Sequence, residues 1–408
     1  MSRLLLFTND YPYRTGDAVF VEKEIPALAE RFDSVVVFCH ARDTSAGMVE
    51  LPPKVTLGGN LFEPAPEDRG VRALLNPWTM AALLSAALRE LLGGRLLAHR
   101  RLFLMGALVG ITQANRRAVR AAINGDPDTV AYAFWGMGGG LGLAWLRGVR
   151  RRVVRLHRYD LYEDESPERY LPFRRYLFAR ATTVLVISDD GRRYLKETYR
   201  SKRLDRKVEL SRLGVFGPSS IARPERDRER VVVSCSMVTR VKRVDLLAAA
   251  LKALPSVSLD APVHWVHFGS GPLFDQLETA VADLPPGLSV DLRGQRPNSE
   301  LLQFYGERRV DVFVNVSSSE GVPVSIMEAI AYDIPVVATA VGGTPEIVAP
   351  ELGTGRLVSA DASPDDIAAA IEGVLADGDG YDPRLLWQRE YDAAVTGPRA
   401  ADLVRGVR

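Results

Sequence analysis

The chain has 408 residues, 47% hydrophobic and 25% charged, with a formal net charge of +1. That is long enough for two or three soluble globular domains, and the near-balance of charge argues against a general nucleic-acid binder. Two cysteines, Cys39 and Cys235, lie in separate apolar runs. They read as buried free thiols in a reducing compartment, with no ligand cluster for a metal and no redox pair. The start, MSRLLLFTNDYP, has no long apolar core or cleavage site, and no apolar run approaches the roughly 20 residues of a membrane span. A cytoplasmic location is expected.

Leu4 to Phe7 is a short buried strand running into a polar loop, Thr8 to Asp17, with Thr15-Gly16-Asp17 at its end. A helix follows from about Phe20 to Arg31, on which Glu22 and Glu24 read as surface charges, and then a strand from Ser34 to Phe38. The loop therefore lies at the C-terminal end of a first strand, where open α/β sheets bind ligands. Residues 41–70 are rich in Pro and Gly and read as loops. Residues 71–123 are helical and unusual: leucines at 83, 84, 88, 91 and 92 precede or surround seven arginines (89, 95, 100, 101, 116, 117 and 120), against the single acid Glu90. Two readings stand, core helices with a solvated basic face or an interfacial surface touching anionic lipid.

Val130 to Phe134 is a strand that ends in Trp135-Gly136-Met137 and a glycine cluster. The cluster fails the dinucleotide fingerprint on spacing, so its glycines read as close helix packing. Arg152 to Leu156 is a strand followed by His157-Arg158-Tyr159-Asp160, and the run Glu163-Asp164-Glu165 reads as solvated surface. Thr183 to Ile187 leads to a helix cap at Ser188, and Val208 to Leu213 closes the first half. The polar stretch 217–230 is the expected linker between domain 1–216 and domain 231–385. Strand Val231 to Ser236 opens the second half and runs into Thr239-Arg240-Val241-Lys242-Arg243-Val244-Asp245, a basic loop before a helix. Val263 to Phe268 and Leu288 to Leu292 are further strands, the latter ending in Arg293-Gly294-Gln295.

The densest stretch is 312–348: VFVNVSSSEGVPVSIMEAIAYDIPVVATAVGGTPEIV. A strand at Val312 to Val316 leads through serines, Glu320 and Gly321 to Pro323 and a helix from Val324 to Tyr332. A second strand, Pro335 to Ala338, leads through a Gly-Gly pair to another helix start at Thr344-Pro345-Glu346. Two helix N-termini on one sheet edge suit phosphate or sugar oxygens. Glu320 and Glu328 are separated by seven residues. Each reads as either an exposed carboxylate or a ligand. Glu328 is flanked by Ile326, Met327, Ala329 and Ile330, so it needs a polar partner if its face is dry.

This stretch resembles the glutamate–seven–glutamate signature of the family 4 retaining glycosyltransferases. The resemblance implies the α/β GT-B fold, two Rossmann-like domains facing across a central cleft, with residues 386–408 as a terminal helix crossing back to the first domain. It implies that Glu328 holds the ribose of a nucleotide-diphosphate sugar and that Glu320 sits near the donor sugar. The backbone of Gly321, Val322, Pro323, Val324 and Ser325 would face sugar and phosphates. Gly16 matches the glycine-containing loop of relatives near the diphosphate and the acceptor, and His157 matches the histidine that approaches the donor sugar, with Arg158 standing where glycine is common. Lys242 matches the lysine that clamps the diphosphate. The companion arginine position holds Met237, so Arg240 is the substitute cation, and a glycine position holds Arg243. Gly294 and Gln295 fall where relatives touch the nucleobase.

The function so implied is retaining, metal-independent glycosyl transfer without a cofactor, from a UDP-sugar in preference to a GDP-sugar. The acceptor would be a glycan or lipid-linked precursor in cell-surface or exopolysaccharide assembly, with peripheral contact through residues 71–123 at the inner face of the plasma membrane. A sugar-nucleotide epimerase or hydrolase of the same shape, and a non-catalytic sugar-nucleotide binder, remain open. Asp126-x-Asp128 and Asp377-x-Asp379 match a metal-binding text pattern, but one precedes a strand and the other sits in a Gly-rich turn.

Overall fold

A computed structural model describes residues 2–63, 76–123, 126, 128–166, 168–221, 229–254, 261–377 and 380–407. The chain forms two compact units, Met1–Leu213 with Thr396–Arg408, and Gly214–Val395. Residues 222–228 of the expected linker, residues 71–75 of the arginine-rich stretch and Asp379 lie outside the described residues.

The first unit is built on strands β1 (Arg3–Phe7), β2 (Ser34–Cys39), β3 (Val55–Asn60), β4 (Val130–Ala133), β5 (Arg151–Leu156), β6 (Thr183–Val186) and β7 (Val208–Leu210). They form one parallel sheet in the order β3-β2-β1-β4-β5-β6-β7. The second unit has β8 (Arg230–Cys235), β9 (Val263–Phe268), β10 (Leu288–Leu292), β11 (Val312–Asn315), β12 (Val336–Thr339) and β13 (Gly355–Val358), parallel in the order β10-β9-β8-β11-β12-β13. Both orders are Rossmann-like. Each reverses direction between its first and fourth strands, β1/β4 and β8/β11, and ligands of open α/β sheets bind outside the C-terminal ends at such a point.

Central strands are largely apolar because helices cover both faces. The side chains of β4, β6, β11 and β12 are all buried. In the first unit the core runs through Phe7, Phe38, Trp145 and Phe173, and in the second through Val232, Leu247, Trp265 and Ile371. The glycine-rich segment after β4 forms a 3-10 helix, Gly138–Trp145, against helix Arg100–Asn115. Gly110 of that helix has Leu141 O and the Trp145 ring where a Cβ would stand.

Several expectations change. Residues 41–70 contain β3, an edge strand. Glu24 is buried, not a surface charge: it pairs with the fully buried Arg155 and accepts from Tyr132 Oη at 3.1 Å. Glu163 is likewise buried, paired with Arg95 and accepting from Tyr199 Oη at 2.7 Å. Arg95 is thereby turned inward, as is Arg116, which donates to the carbonyls of Leu61 and Glu63. The basic face of the insert is carried by its other arginines.

Candidate functional site

At the switch point of the second unit, four loops are braced together. The loop after β11 is pinned to the loop after β8 by Ser318 N–H donating to Val241 O at 2.8 Å. Arg243 strengthens that brace. It adopts a left-handed conformation, φ 50°, where relatives are expected to carry glycine. Its guanidinium donates to Val316 O at 2.7 Å, Ser317 O at 3.2 Å and Ala360 O at 2.7 Å. Arg243 is therefore a backbone clamp. The Gly-Gly pair after β12 presses on the same loop: Gly343 N–H donates to Gly321 O at 2.7 Å. Gly342, φ 52°, passes so close that a Cβ would stand 1.9 Å from Glu320 O.

These braces bring Lys242 to Glu320. Lys242 Nζ lies 2.5 Å from Glu320 Oε1, which also accepts from Asn315 Nδ2 at 3.3 Å. Glu320 is buried and Lys242 half-buried, so the carboxylate has given up water for one cation and one amide. Arg240, two residues earlier in the same loop, is exposed and makes no ion pair among the described residues. Gly321, Val322 and Pro323 are buried, and Val324 and Ser325 are half-buried at the start of helix Val324–Ala331. The first N–H groups of that helix have no intrahelical acceptor and point a positive dipole end at the loop.

Glu328 sits on that helix with 5% exposure, not on a solvated face. Asn298 Nδ2 donates to its Oε1 at 2.9 Å. Burial, with the Glu328 charge added, pushes the nearby Cys235 thiol up to about 12. Burial, followed by the charges of Cys235 and Glu328, raises Tyr305, whose buried hydroxyl has no hydrogen-bond partner. Gly294 and Gln295 lie at the same sheet edge after β10. Gly294 O accepts from Gly269 N at 2.9 Å, and Gln295 is exposed. Asn298 carried no signal in the sequence, since its pairing with Glu328 spans thirty residues.

At the switch point of the first unit, Asp17 is the organiser. Its carboxylate accepts from the backbone N–H groups of Asn9 (2.8 Å), Asp10 (2.8 Å) and Tyr11 (2.7 Å), and from Trp135 Nε1 (2.8 Å). Gly16 beside it has φ 51°, and a Cβ there would strike the Asp10 carboxylate. The glycines after β4 serve this loop as well as the helix: Cβ atoms on Gly138 and Gly139 would overlap Asn9 Oδ1 and Thr8 O. Trp135 links Gly16 to His157, because its ring lies 3.8 Å, centroid to centroid, from the imidazole. Its place at the end of β4, beside β1, was a signal the strand order alone could have supplied.

His157 is buried with no hydrogen-bond partner on either ring nitrogen, and its Nδ1 is 3.9 Å from Asp160 Oδ2. Burial holds the imidazole below the usual histidine range despite the opposing pull of Asp160, so it is neutral at pH 7. Asp160 fixes the turn instead, accepting from His157 N and Gly136 N, each at 2.7 Å.

Chemically, the second unit offers a buried carboxylate paired to a lysine, a second buried carboxylate on a helix, and a helix N-terminus, all on one edge. That set suits a polyol joined to a diphosphate. Among the described residues, no group of three or more His, Cys, Asp or Glu is placed to hold a metal ion. Asp128 pairs with Arg150 and Asp377 with Arg356.

Residues 219–385 match the family described as glycosyl transferases group 1. The putative colanic acid biosynthesis glycosyltransferase WcaL of Escherichia coli is 28% identical over 211 residues, which are 49% of this chain and 50% of WcaL. The chain spans about half the length of the curated relatives it first matches. Among solved structures, HepE from Anabaena in complex with UDP-glucose superposes with a TM-score of 0.61 at 16% identity, covering 100% of both chains. Sucrose-phosphate synthase from Thermosynechococcus elongatus gives 0.70 at 18% identity, covering 100% of this chain and 99% of its own. The chain thus has the GT-B fold of two Rossmann-like parallel-sheet units, and residues 219–385 are similar to the glycosyl transferases group 1 family.

Proposed function

We propose that this protein is a retaining, metal-independent glycosyltransferase. It moves a sugar from a nucleotide-diphosphate sugar, UDP-linked in preference to GDP-linked, to a glycan or lipid-linked acceptor in cell-surface polysaccharide assembly. The observation that carries this reading is the convergence of Lys242, Glu320, Glu328 and the start of helix Val324–Ala331 on one sheet edge. The group 1 match, the name of WcaL and the UDP-glucose held by HepE support it.

In this mechanism Glu328 accepts hydrogen bonds from the ribose hydroxyls. Lys242, with Arg240, meets the diphosphate, and Glu320 and His157 address the transferred sugar. The bond from C1 to the diphosphate oxygen breaks, and its electron pair leaves with the diphosphate. The acceptor hydroxyl oxygen bonds C1 on the same face, and its proton passes to the departing phosphate oxygen. Charge on the leaving group is met by the lysine and the helix N-terminus. The acceptor is presented at an anionic lipid surface, on the inner face of the plasma membrane, contacted by the helices within 71–123.

The test is a panel of UDP-, GDP- and ADP-sugars, read by protection against thermal unfolding and by turnover with and without EDTA. Protection by one nucleotide class and equal turnover in EDTA are expected. No protection by any member would sink the reading, and turnover that a chelator abolishes and a divalent ion restores would remove its metal-free part.

A further inference from the structure

We propose that a pocket in the first unit binds the phosphate headgroup of a membrane phospholipid and so anchors the protein. This deepens, and rests on, the anionic-surface contact proposed above. The pocket has a volume of about 340 Å³ and is lined by Arg89, Arg175 and Arg203 together with Leu92, Phe178 and Tyr199. That volume falls in the range of small-ligand sites, about 300–1,000 Å³.

Its place excludes the reaction edge. Phe178 lies in helix Arg174–Arg180, which leads into the start of β6, and Arg203 lies in helix Lys202–Asp205, just ahead of β7. His157 follows the end of β5, and all three strands are parallel. The pocket is therefore on the edge of the sheet opposite the loops that carry Gly16 and His157.

Its guanidiniums are not paired. Among the described residues, none of the three guanidiniums makes an ion pair or a hydrogen bond. Arg175 lies over the Tyr199 ring at 5.5 Å, and its buried Nε has no acceptor. The neighbouring carboxylates are hydrogen-bonded elsewhere: Glu90 is buried, accepts from Tyr170 Oη at 3.1 Å and feels Arg175 only through space, and Glu163 is held by Arg95 and Tyr199. Three guanidiniums with no hydrogen-bonded carboxylate suit a phosphate, whose oxygens accept from the planar fork.

A lipid is the source because of what adjoins the pocket. Helix Pro77–Leu92 buries only Ala86 and Glu90. Leu84, Leu88 and Leu92 recur one helical turn apart and are 64%, 54% and 80% exposed. Leu92 both ends this stripe and lines the pocket, so a headgroup among the arginines lays its acyl chains along the leucines. Trp78 begins the helix, exposed, with the Arg147 guanidinium 5.2 Å above its ring, a pairing suited to a headgroup layer.

The test compares wild type with the double variant Arg89→Gln/Arg203→Gln, both exposed and outside the donor-binding residues. Flotation uses phosphatidylcholine vesicles with and without phosphatidylglycerol, at low and high salt. Wild type is expected to bind only the anionic vesicles, less so at high salt, and the variant to bind at least about tenfold more weakly. Leu88→Ser/Leu92→Ser should also detach. Equal binding by the arginine variant overturns the proposal. So does inorganic phosphate that protects wild type from unfolding, but not the variant, with no vesicle binding: the ligand is then a free phosphate. Wild type that is a dimer in solution, made monomeric by the leucine variant, and that binds no vesicles also overturns it, since a second copy then covers the face. Protection by nucleotide sugar is measured on the same preparations. Its absence in wild type counts against the glycosyltransferase reading alone, while the vesicle result decides the pocket.

Discussion

At Lys242 two demands meet on one amino group: it neutralises buried Glu320, and it is the cation assigned to the diphosphate. Lys242→Ala should therefore weaken binding of the nucleotide sugar by about 1.5–3 kcal/mol, roughly ten- to hundredfold in Kd. It should also lower the unfolding midpoint, because Glu320 is left buried without a cation. Adding Glu320→Ala should restore the midpoint and not the affinity, which separates the two effects by thermal unfolding with and without UDP-sugar. The two glutamates should part company in calorimetry with free UDP. Glu328→Ala should raise the Kd for UDP, since a ribose contact does not involve the sugar. Glu320→Ala should spare UDP and damage transfer. Equal behaviour of the two variants would refute the assignment of separate roles.

At the scale of elements, the candidate site of the second unit is a set of loops held by close backbone approach. Gly342 is the tightest of these, with its positive φ and the Glu320 carbonyl where a Cβ would stand. Gly342→Ala should cost about 1–3 kcal/mol of stability through backbone strain. It should also lower nucleotide-sugar affinity, because the strain is relieved by moving the Glu320 loop. Gly306 is the control. It lies inside helix Asn298–Glu307, and an added Cβ would meet nothing nearer than Tyr332 at 3.9 Å. Gly306→Ala should stabilise by about 0.5–1 kcal/mol and leave affinity alone. Urea unfolding and UDP titration of both variants check this, and equal affinity in the two would mean the Gly-Gly pair does not hold the site.

For the whole molecule, acid stability is governed in part by buried imidazoles. His267 is buried beside Ser234, and burial lowers it to about 4 from an ordinary 6.5. Its folded state resists a proton that the unfolded chain accepts. Stability is therefore fully present above pH 6.5 and is lost as the pH falls toward 4. The contribution is on the order of 3 kcal/mol. His157 and His40 are lowered by burial too and act in the same direction, whereas Glu90, raised by burial, acts in the opposite one. His267→Gln should flatten the decline of the unfolding midpoint between pH 6.5 and 4.5 relative to wild type. Parallel curves would show that His267 titrates normally.

The sequence by itself determined the two parallel sheets and the motif text at the loop edge of the second unit. Central strands such as Leu4–Phe7 and Val312–Asn315 are buried on both faces, so their composition announces them. The glutamate pair is legible through its resemblance to a family signature, and Gly342-Gly343 because a tight loop admits few residue types there. Of the four edge strands, β7 and β10 were legible, but β3 and β13, paired on one side only, read VTLGGN and GRLV, patterns that also fit loops. Only the tertiary structure decided which charges are internal. Glu24 meets Arg155 across 131 residues, and Asn298 meets Glu328 across thirty. A carboxylate on a helix looks the same in sequence whether it faces water or a guanidinium brought up by a distant strand. Burial and partner are properties of the packed sheet, and local residue type does not encode them.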